Sequence, residues 1–318
     1  MAERRARVSV LFHCHGDDGG MLGALREALP GVDVRLWPDE RGDPATITDA
    51  VAWLPPADFF DGLHALERVH ALAAGVDNLL DHPGLPATAS VIRLEDAGMG
   101  ELMAEYVLLG VLHAHRGLPR LAAAQRAGRW AAETRTPPAA RFGVGILGAG
   151  VLGATVARRL VANGYPVGCW SRTAKRLPPG VVGHVGRDGL HECLRGARVL
   201  VCLLPLTGQT RDILDAALFA RLPEGAYLIN VARGEHLVEA DLLAALDGGR
   251  LDGALLDVFR EEPLPAGHPF WTHPRITVTP HLAAPSPLRE SAAQVAANLA
   301  AVARGERPSG TVDRARGY

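Results

Sequence analysis

Three segments in the second half of the chain place ionisable side chains directly after apolar runs. Arg233 follows the first run, the acids of 257–262 follow the second, and His281, preceded by a proline, follows the third. An arginine presents a rigid bidentate cation suited to a carboxylate, and a histidine exchanges protons near neutral pH. If the runs are parallel strands of one sheet, all three segments lie at its carboxyl edge, where ligands bind in such folds.

Taken singly, each segment has an ordinary structural explanation. An arginine at a strand end is usually a surface charge, as is a glutamate beside a proline, and His281 fits a capping role. The three together, at successive strand ends of one predicted sheet, favour a binding or catalytic site.

A glycine-rich stretch in mid-chain predicts a site for the phosphates of a dinucleotide. Its residues, Gly148-Ala149-Gly150-Val151-Leu152-Gly153, follow an apolar run and precede a helical pattern. In such a setting Gly148 permits a tight turn, Gly150 lets the backbone approach a pyrophosphate, and Gly153 lets helix and strand pack closely. The helix start offers N–H groups and a positive dipole end to the phosphates. A chance glycine-rich turn is the alternative, and the strand–turn–helix setting disfavours it.

The next predicted strand ends in Ser171 and Arg172, where an NAD-binding enzyme usually has an acid about 20 residues beyond the glycines. No acid stands there. A carboxylate would repel a 2′-phosphate, whereas Ser171, Arg172 and the nearby Lys175 can bind one through hydrogen bonds and charge. We therefore expect NADP(H) to be preferred, with NAD(H) also usable. The alternative is that Arg172 only stacks on the adenine.

Short apolar runs alternate with helical patterns along almost the whole chain, which is typical of parallel α/β construction. The predicted strands of the first third are Val8–Phe12, Val32–Trp37, Ala50–Leu54, Val69–Leu72 and Ala89–Leu94. Those of the remainder are Val144–Leu147, Pro166–Trp170, Val199–Leu204, Ala226–Val231, Leu251–Leu256 and Ile276–Val278. The predicted helices are Met21–Leu29, Gly100–His113, Leu118–Ala127, Val151–Ala162, Asp188–Leu194, Asp215–Ala220, Glu239–Leu246 and Pro287–Val302.

Composition narrows the class of protein. A chain of 318 residues, 48% apolar and 21% charged, can form two ordinary globular domains, and its net charge of −2 disfavours nucleic acid as a partner. The four cysteines contain no C-x-x-C pair, and His13-Cys14-His15 lacks a fourth ligand nearby, so we expect neither disulfides nor a bound metal. The apolar run behind the basic start is too short for a secretory signal, and no stretch is long enough to span a membrane. A cytoplasmic location is expected.

The motifs, in their order along the chain, resemble those of one enzyme family. They are the central glycine motif, Asn230-Val231-Ala232-Arg233-Gly234, Asp257 followed by Glu262-Pro263, Pro280-His281, and the shorter stretches Ala73–Asp77, Glu95–Gly100, Cys169–Arg172 and Gly317-Tyr318. The chain resembles the D-isomer-specific 2-hydroxyacid dehydrogenases over nearly its whole length. The resemblance implies an enzyme, an NAD(P)-dependent 2-hydroxyacid dehydrogenase.

The resemblance implies a role for each ionisable group. Arg233 is expected to grip the substrate carboxylate or carbonyl as negative charge develops on oxygen. His281, as imidazolium, is expected to protonate that oxygen while a nicotinamide donates hydride. Glu262 is expected to hydrogen-bond the imidazole and to favour its charged form. The implied reaction reduces small 2-keto acids, such as glyoxylate and hydroxypyruvate, to 2-hydroxy acids.

The resemblance also implies which other residues surround the ligands. Asp257 is expected at the nicotinamide end of the cofactor, in a cleft lined by Leu204, Pro205, Val231 and Ala232. In the first unit, the turn Ala74-Gly75-Val76 is expected to offer N–H groups to the substrate carboxylate, and Trp53 to wall a small pocket.

Because the glycine motif lies in mid-chain, the domains are expected to be interleaved. The predicted fold class is α/β, with two doubly wound, Rossmann-like parallel-sheet domains and the nucleotide-binding one inserted in the substrate domain. Residues 1–98 and 286–318 are assigned to a flavodoxin-like substrate (catalytic) domain, and 99–285 to the dinucleotide-binding domain. The resemblance further implies a homodimer made largely by the second unit, with Trp130 as a candidate anchor.

Two other functions fit the same motifs. One is the reduction of bulkier 2-keto acids such as phenylpyruvate, since the pocket around Trp53, Leu54 and Met99 has no size that can be read from sequence. The other is a dinucleotide-sensing corepressor built on this fold, which the missing acid after Trp170 and the absence of disordered tails disfavour.

Overall fold

The computed structural model describes residues 8–17, 19–132 and 136–318. One unit of the chain holds the residues up to Gly98 together with Ser286–Tyr318, and the other holds Met99–Pro285. The basic start, residues 1–7, lies outside the described residues. In the described part, no helix is long and apolar enough to cross a membrane, and no group of His, Cys, Asp or Glu side chains is placed to hold a metal ion.

The strands are, in chain order, β1 (Ser9–Cys14), β2 (Asp33–Leu36), β3 (Asp49–Trp53), β4 (Arg68–Ala71), β5 (Ser90–Ile92), β6 (Val144–Leu147), β7 (Val167–Ser171), β8 (Val181–Val185), β9 (Val199–Cys202), β10 (Ala226–Asn230), β11 (Leu251–Leu256) and β12 (Ile276–Val278). The helices are α1 (Gly20–Ala28), α2 (Asp77–Leu80), α3 (Met99–His115), α4 (Leu118–Arg126), α5 (Val151–Ala162), α6 (Gly186–Arg195), α7 (Ala216–Phe219), α8 (Glu239–Asp247) and α9 (Leu288–Ala303). Short 3₁₀ turns lie at Pro44–Thr46, Ala139–Arg141, Gly234–His236 and Pro269–Trp271.

The first unit is built on a parallel sheet with the strand order β2-β1-β3-β4-β5. Successive side chains of a strand point to opposite faces, so Val10 and Phe12 of β1 pack on one face and Leu11 on the other. The face with Val10 and Phe12 is covered by α1 and by α9, which contributes Val295 and Leu299. The sheet is therefore buried on both faces, as parallel sheets normally are.

The second unit is built on a seven-stranded parallel sheet with the order β12-β11-β10-β9-β6-β7-β8. The chain starts at β6 in mid-sheet, runs outward through β7 and β8, and returns to β9 to continue in the other direction. That reversal at β6 and β9 is the switch point of a doubly wound sheet, where dinucleotides bind. The two parallel sheets confirm the predicted fold class.

Helix α3 packs very closely on the sheet of the second unit. A Cβ atom at Gly110 would lie 2.7 Å from Leu255 Cδ2 and 2.8 Å from Ile229 Cδ1, both of them buried side chains of the sheet. Glycine at this position lets the helix approach, at some cost in helix propensity. The close packing places the buried side of α3 against β10 and β11.

Strand β8 has no counterpart among the predicted strands. It pairs with β7 at the edge of the sheet, and its side chains are half-buried or exposed, Val182 being 59% exposed. The segment Val-Val-Gly-His-Val has neither a buried apolar run nor regular alternation, because an edge strand packs on few neighbours. Its strand conformation comes from pairing with β7.

Candidate active site

The carboxyl ends of the parallel strands form one edge of the second unit's sheet, and the predicted site residues of this unit follow those ends. The segments after β12, β11, β10, β9, β6 and β7 carry, in this order along the edge, His281, Glu262, Arg233, Pro205, the glycine motif and Arg172. Neighbouring strands lie about 4.8 Å apart, so about 19 Å separates the ends of β12 and β6. The structure thus brings the predicted groups of this unit to one edge.

His281 is hydrogen-bonded to Glu262. The Nδ1 atom of His281 lies 2.7 Å from Oε2 of Glu262. An ionised carboxylate only accepts hydrogen bonds, so Nδ1 carries a proton and donates it. Among the described residues, Nε2 has no hydrogen-bond partner, and the His281 side chain is 41% exposed. The imidazole is therefore held by one nitrogen and presents the other to a ligand.

The surroundings of Glu262 keep its carboxylate charged. Partial burial raises the pKa of Glu262, but hydrogen bonds from His281 and from the N–H of Phe259, together with the charge of Arg233, lower that pKa below its ordinary value. The Phe259 N–H donates to Oε1 at 2.8 Å. A carboxylate beside an imidazole favours the protonated ring, which is the form that can donate a proton to a ligand.

Asp257 holds the loop that carries His281. Its side chain is buried, with the residue only 1% exposed. Oδ1 accepts from the Leu282 N–H at 3.0 Å, Oδ2 accepts from the Ala283 N–H at 2.8 Å, and the Asp257 carbonyl accepts from the His281 N–H at 2.8 Å. Its carboxylate is thus engaged by internal donors, because the loop after β12 folds over it. That Asp257 lies at the nicotinamide end of the cofactor stays a prediction.

Two hydroxyl groups continue this network into the protein. Thr279 Oγ1 donates to Asp257 Oδ1 at 2.6 Å, and the Tyr106 hydroxyl lies 2.5 Å from Thr279 Oγ1. Tyr106 is on the buried side of α3, and Thr279 directly follows β12. The network thus links α3 to the His281 loop through Asp257.

Arg233 is positioned by a tight turn after β10. The fully buried Asn230 ties this turn together, since its Nδ2 donates to the Arg233 carbonyl at 2.9 Å and its Oδ1 accepts from the Ala232 N–H at 3.3 Å. A Cβ atom at Gly234 would lie 1.9 Å from the carbonyl carbon of Phe259. Glycine therefore lets the Arg233 turn touch the segment that leads from β11 to Glu262.

The glycine motif forms a tight turn between β6 and α5. Gly148 has φ 114°, and a Cβ atom on it would lie 2.5 Å from the Leu203 carbonyl oxygen. A Cβ atom at Gly153 would lie 2.0 Å from the Gly148 carbonyl oxygen, whereas one at Gly150 would meet nothing within 4 Å. No side chain caps the start of α5, which begins at Val151 and includes Leu152 in its first turn. The backbone N–H groups there are the kind that bind phosphate.

Four residues predicted to line a cofactor cleft follow β9 and β10, and an unpredicted histidine connects them. Leu204, Val231 and Ala232 are buried, and Pro205 is half-buried. His236 is fully buried; its Nδ1 lies 3.1 Å from the Arg233 carbonyl oxygen and its Nε2 lies 3.3 Å from that of Pro205. Burial lowers the pKa of His236. The imidazole of His236 lies between these two carbonyl oxygens and so connects the loop after β9 with the Arg233 turn.

The residues predicted to bind a 2′-phosphate lie at the end of β7. The Ser171 hydroxyl donates to the Thr173 carbonyl at 2.8 Å. Arg172 is exposed and donates through Nη1 to Oε1 of Gln209, which lies in the loop after β9, and Lys175 is exposed four residues after Ser171. The side chains at this strand end are neutral or basic, which suits a phosphate group.

The predicted substrate residues of the first unit lie at the carboxyl ends of β3 and β4. Trp53 is the last residue of β3 and is half-buried. Ala74 and Gly75 are half-buried in the turn after β4, and Val76 is buried where α2 begins. All four thus lie at or after strand ends of one sheet.

Sequence reasoning missed Tyr106, Gln209 and His236. Tyr106 carried a detectable signal, since it is the one hydroxyl in the apolar stretch 102–112. Gln209 and His236 carried none, because each gains its importance from a partner on another strand-end loop.

A model of the family described as D-isomer specific 2-hydroxyacid dehydrogenase, NAD binding domain, matches residues 108–283. The chain is also 45% identical over 316 residues to glyoxylate/hydroxypyruvate reductase A of Salmonella paratyphi B, covering 97% of this chain and 99% of that protein. The chain belongs to the D-isomer specific 2-hydroxyacid dehydrogenases. The resemblance seen in the sequence is confirmed, as is the prediction that the chain is an enzyme, an oxidoreductase.

Solved structures of this family have the same fold. A D-isomer specific 2-hydroxyacid dehydrogenase from Xanthobacter autotrophicus Py2, crystallised with NADPH and MES, is 42% identical, with a TM-score of 0.93 over 98% of this chain and 100% of that one. An NADPH-dependent glyoxylate/hydroxypyruvate reductase from Sinorhizobium meliloti, crystallised with NADP and sulfate, is 36% identical, with a TM-score of 0.92 over 98% and 100%.

Proposed function

We propose that this 2-hydroxyacid dehydrogenase is an NADPH-dependent reductase of small 2-keto acids such as glyoxylate and hydroxypyruvate. The observation that carries the proposal is the 2.7 Å contact between His281 and Glu262 at the sheet edge that also carries Arg233 and the glycine turn. It is supported by the full-length similarity to glyoxylate/hydroxypyruvate reductase A.

The residues at the sheet edge fit a dinucleotide. The glycine turn leaves open space at Gly150, and the uncapped start of α5 offers N–H groups for a pyrophosphate. The nicotinamide would lie along the edge between that turn and the catalytic groups. The residues there are Leu204, Pro205, Val231 and Ala232. When bound, the reduced nicotinamide supplies a hydride to the keto carbon.

The chain's own residues supply binding and proton transfer. Arg233 binds the substrate carboxylate and polarises the carbonyl through its fixed pair of donors. His281, protonated on both nitrogens, donates the Nε2 proton to the carbonyl oxygen as negative charge develops there. Glu262 stabilises the imidazolium before the transfer and keeps its ring oriented. After the reaction His281 is neutral and takes a proton from solvent.

NADP(H) is preferred over NAD(H) in this proposal, because Ser171, Arg172 and Lys175 can bind a 2′-phosphate and no acid stands among residues 171–175. The two related structures crystallised with NADPH or NADP support the preference. The test compares Arg172→Ala with Arg187→Ala, an exposed control on α6. Arg172→Ala should raise KM for NADPH about tenfold and leave KM for NADH within twofold. Equal loss with both cofactors would contradict phosphate binding.

Initial rates of 2-keto acid reduction with NADPH and NADH test the proposed function itself. We expect glyoxylate and hydroxypyruvate to give the highest kcat/KM. A higher kcat/KM with phenylpyruvate would assign the chain to bulkier 2-keto acids instead. Failure to oxidise NADPH with any keto acid, combined with tight NADPH binding, would favour a dinucleotide-sensing role.

The roles of the first unit, the assembly and the location stay predictions. We propose that the first unit, through Trp53 and the Ala74-Gly75-Val76 turn, contributes to substrate binding, and that the second unit binds the dinucleotide. We also propose a homodimer and a cytoplasmic location, with no nucleic acid or membrane as partner.

A further inference from the structure

We propose that Tyr106 and Thr279 are positioning residues that hold the His281 loop in its working geometry through Asp257. The inference rests on the proposed function for its catalytic consequence. The structural basis is a chain of short hydrogen bonds that runs from Tyr106 through Thr279 to the Asp257 carboxylate.

The direction of each hydrogen bond follows from the donors available. The backbone N–H groups of Leu282 and Ala283 can only donate, so both oxygens of Asp257 act as acceptors. Thr279 has one hydroxyl proton, which it gives to Asp257 Oδ1. The oxygen of Thr279 can then only accept from Tyr106, whose phenol must be the donor. The three side chains therefore form one series of hydrogen bonds, in which Tyr106 donates to Thr279 and Thr279 donates to Asp257.

The environment of Tyr106 keeps its phenol a donor. Burial raises the pKa of Tyr106 to about 12, with the Thr279 hydrogen bond lowering it and the Asp257 charge raising it. Tyr106 lies among the buried apolar residues Met103 and Val107 on α3. A buried hydroxyl without a partner would be costly, so the phenol keeps its hydrogen bond to Thr279.

The loop that carries His281, at the end of this series of hydrogen bonds, needs support from other residues. His281 has φ 50°, in the left-handed region that a side chain with a Cβ disfavours. Such a conformation persists only where the surroundings hold it. Asp257 does so through its carbonyl, which accepts from the His281 N–H, and through its carboxylate, which accepts from Leu282 and Ala283. Thr279 and Tyr106 fix the carboxylate, so they act on His281 indirectly, through Asp257.

Isosteric substitutions separate the hydrogen bonds from the packing. Thr279→Val keeps the shape of Thr279 and removes its hydroxyl, Thr279→Ser keeps the hydroxyl, and Tyr106→Phe removes only the phenol oxygen. We expect Thr279→Val to lower kcat for keto acid reduction about tenfold and Tyr106→Phe about fivefold, with the Kd of NADPH within twofold. Thr279→Ser should restore kcat to within twofold of wild type. Tyr165→Phe, which removes another buried hydroxyl of this unit, is the control and should leave kcat unchanged.

A double variant tests whether Tyr106 acts through Thr279. Tyr106→Phe in the Thr279→Val background should cause no further loss of kcat, because Thr279→Val already interrupts the series of hydrogen bonds. Independent losses that multiply in the double variant would overturn the proposal. So would a Thr279→Ser variant as impaired as Thr279→Val, since the hydroxyl would then not be the group that matters.

Amide hydrogen exchange tests the network without any catalytic readout. Thr279→Val should speed exchange of the Leu282 and Ala283 N–H groups about tenfold, and Thr279→Ser should not. If wild type reduces no keto acid and this exchange pattern is still found, the proposed function fails and the positioning network stands. Unchanged exchange in Thr279→Val would overturn the network itself.

Discussion

The imidazole of His281 has its two nitrogens committed to different tasks. Nδ1 donates to Glu262, and Nε2 is open to a ligand on a side chain that remains 41% exposed. Because the Glu262 carboxylate holds Nδ1, the ring needs no further partner to direct Nε2 toward a ligand. In the proposed reaction the pair works as one acid, whose strength depends on the charge of Glu262.

Replacing Glu262 with glutamine tests that dependence. Glu262→Gln keeps a hydrogen-bond acceptor for Nδ1 and removes the negative charge that stabilises the imidazolium. Reduction requires the protonated ring, so its rate falls as the pH rises past the point where the ring loses its proton. In Glu262→Gln this fall should occur at a lower pH, because glutamine carries no charge to stabilise the imidazolium.

The pH–rate profile of keto acid reduction measures this shift. Glu261→Gln, a change of the same kind at the preceding exposed residue, is the control and should leave the profile in place. A profile that does not move in Glu262→Gln would show that Glu262 does not tune the proton donor.

We expect that even lysine cannot replace Arg233 without a large loss of activity. A lysine ammonium is a point charge that cannot reproduce the paired donors of a guanidinium on a carboxylate. We expect Arg233→Lys to lower kcat/KM for the keto acid about 100-fold and to leave the Kd of NADPH within threefold. Arg211→Lys, at an exposed position of the same unit, is the control. Near-wild-type kcat/KM would remove Arg233 from the substrate site.

The site residues that follow strand ends could be predicted from the sequence. The buried residues that hold them in place through hydrogen bonds could not. Arg233, Glu262 and His281 each stand just beyond an apolar run, and parallel topology brings such positions together. Tyr106 stands in a helix far from Thr279 along the chain, so nothing local indicates that they meet. The use of Asp257 as a loop support was hidden for the same reason, since its partners are backbone groups of the His281 loop.

At the scale of elements, the turn between β6 and α5 depends on two glycines in different ways. Gly153→Ala would press a Cβ atom against the Gly148 carbonyl oxygen, 2.0 Å away, so β6 and α5 must separate. We expect this variant to lose both thermal stability and NADPH affinity, the Kd rising at least tenfold. Gly150→Ala meets no neighbour within 4 Å and has φ −79°, so it should fold normally.

The contrast between these two variants checks the role of the turn. Thermal unfolding and fluorescence titration with NADPH measure stability and affinity separately. Gly150→Ala should weaken NADPH binding with an unchanged unfolding midpoint, because its methyl group occupies space meant for the pyrophosphate. Unchanged affinity in Gly150→Ala would place the phosphates elsewhere.

Most elements could be predicted because buried parallel strands are continuous apolar runs. β6, β11 and β12 have the predicted bounds, as does α5. Other ends differ by one or two residues, for example at β9, where the apolar run continues to Leu204 but pairing stops at Cys202. β8 escaped prediction because its pairing with β7, and not its composition, makes it a strand.

At the scale of the whole molecule, exposed apolar side chains of the second unit favour self-association. Trp130 is 93% exposed, and Leu109, Leu112 and Leu118 of α3 and α4 are 40% to 61% exposed. Large exposed apolar patches typically mark interfaces, and we propose that these side chains belong to one. We expect a dimer at micromolar concentration by sedimentation equilibrium, and Trp130→Ala should weaken it at least tenfold.

Trp271, which is 51% exposed, provides the matched control for the dimer. Trp271→Ala should sediment like wild type. A wild-type protein that is monomeric at micromolar concentration would remove the proposed assembly and Trp130 as its anchor.

The position of α9 sets the order in which the protein can be made. Val10 and Phe12 leave the ribosome early, yet Val295 and Leu299, which cover them, are translated only after the entire Met99–Pro285 unit. The second unit is continuous in sequence and can complete its core during synthesis, as domains generally do. Until the last helix is released, α1 alone covers this face of the first sheet, and the nascent intermediate exposes apolar surface that chaperones can bind.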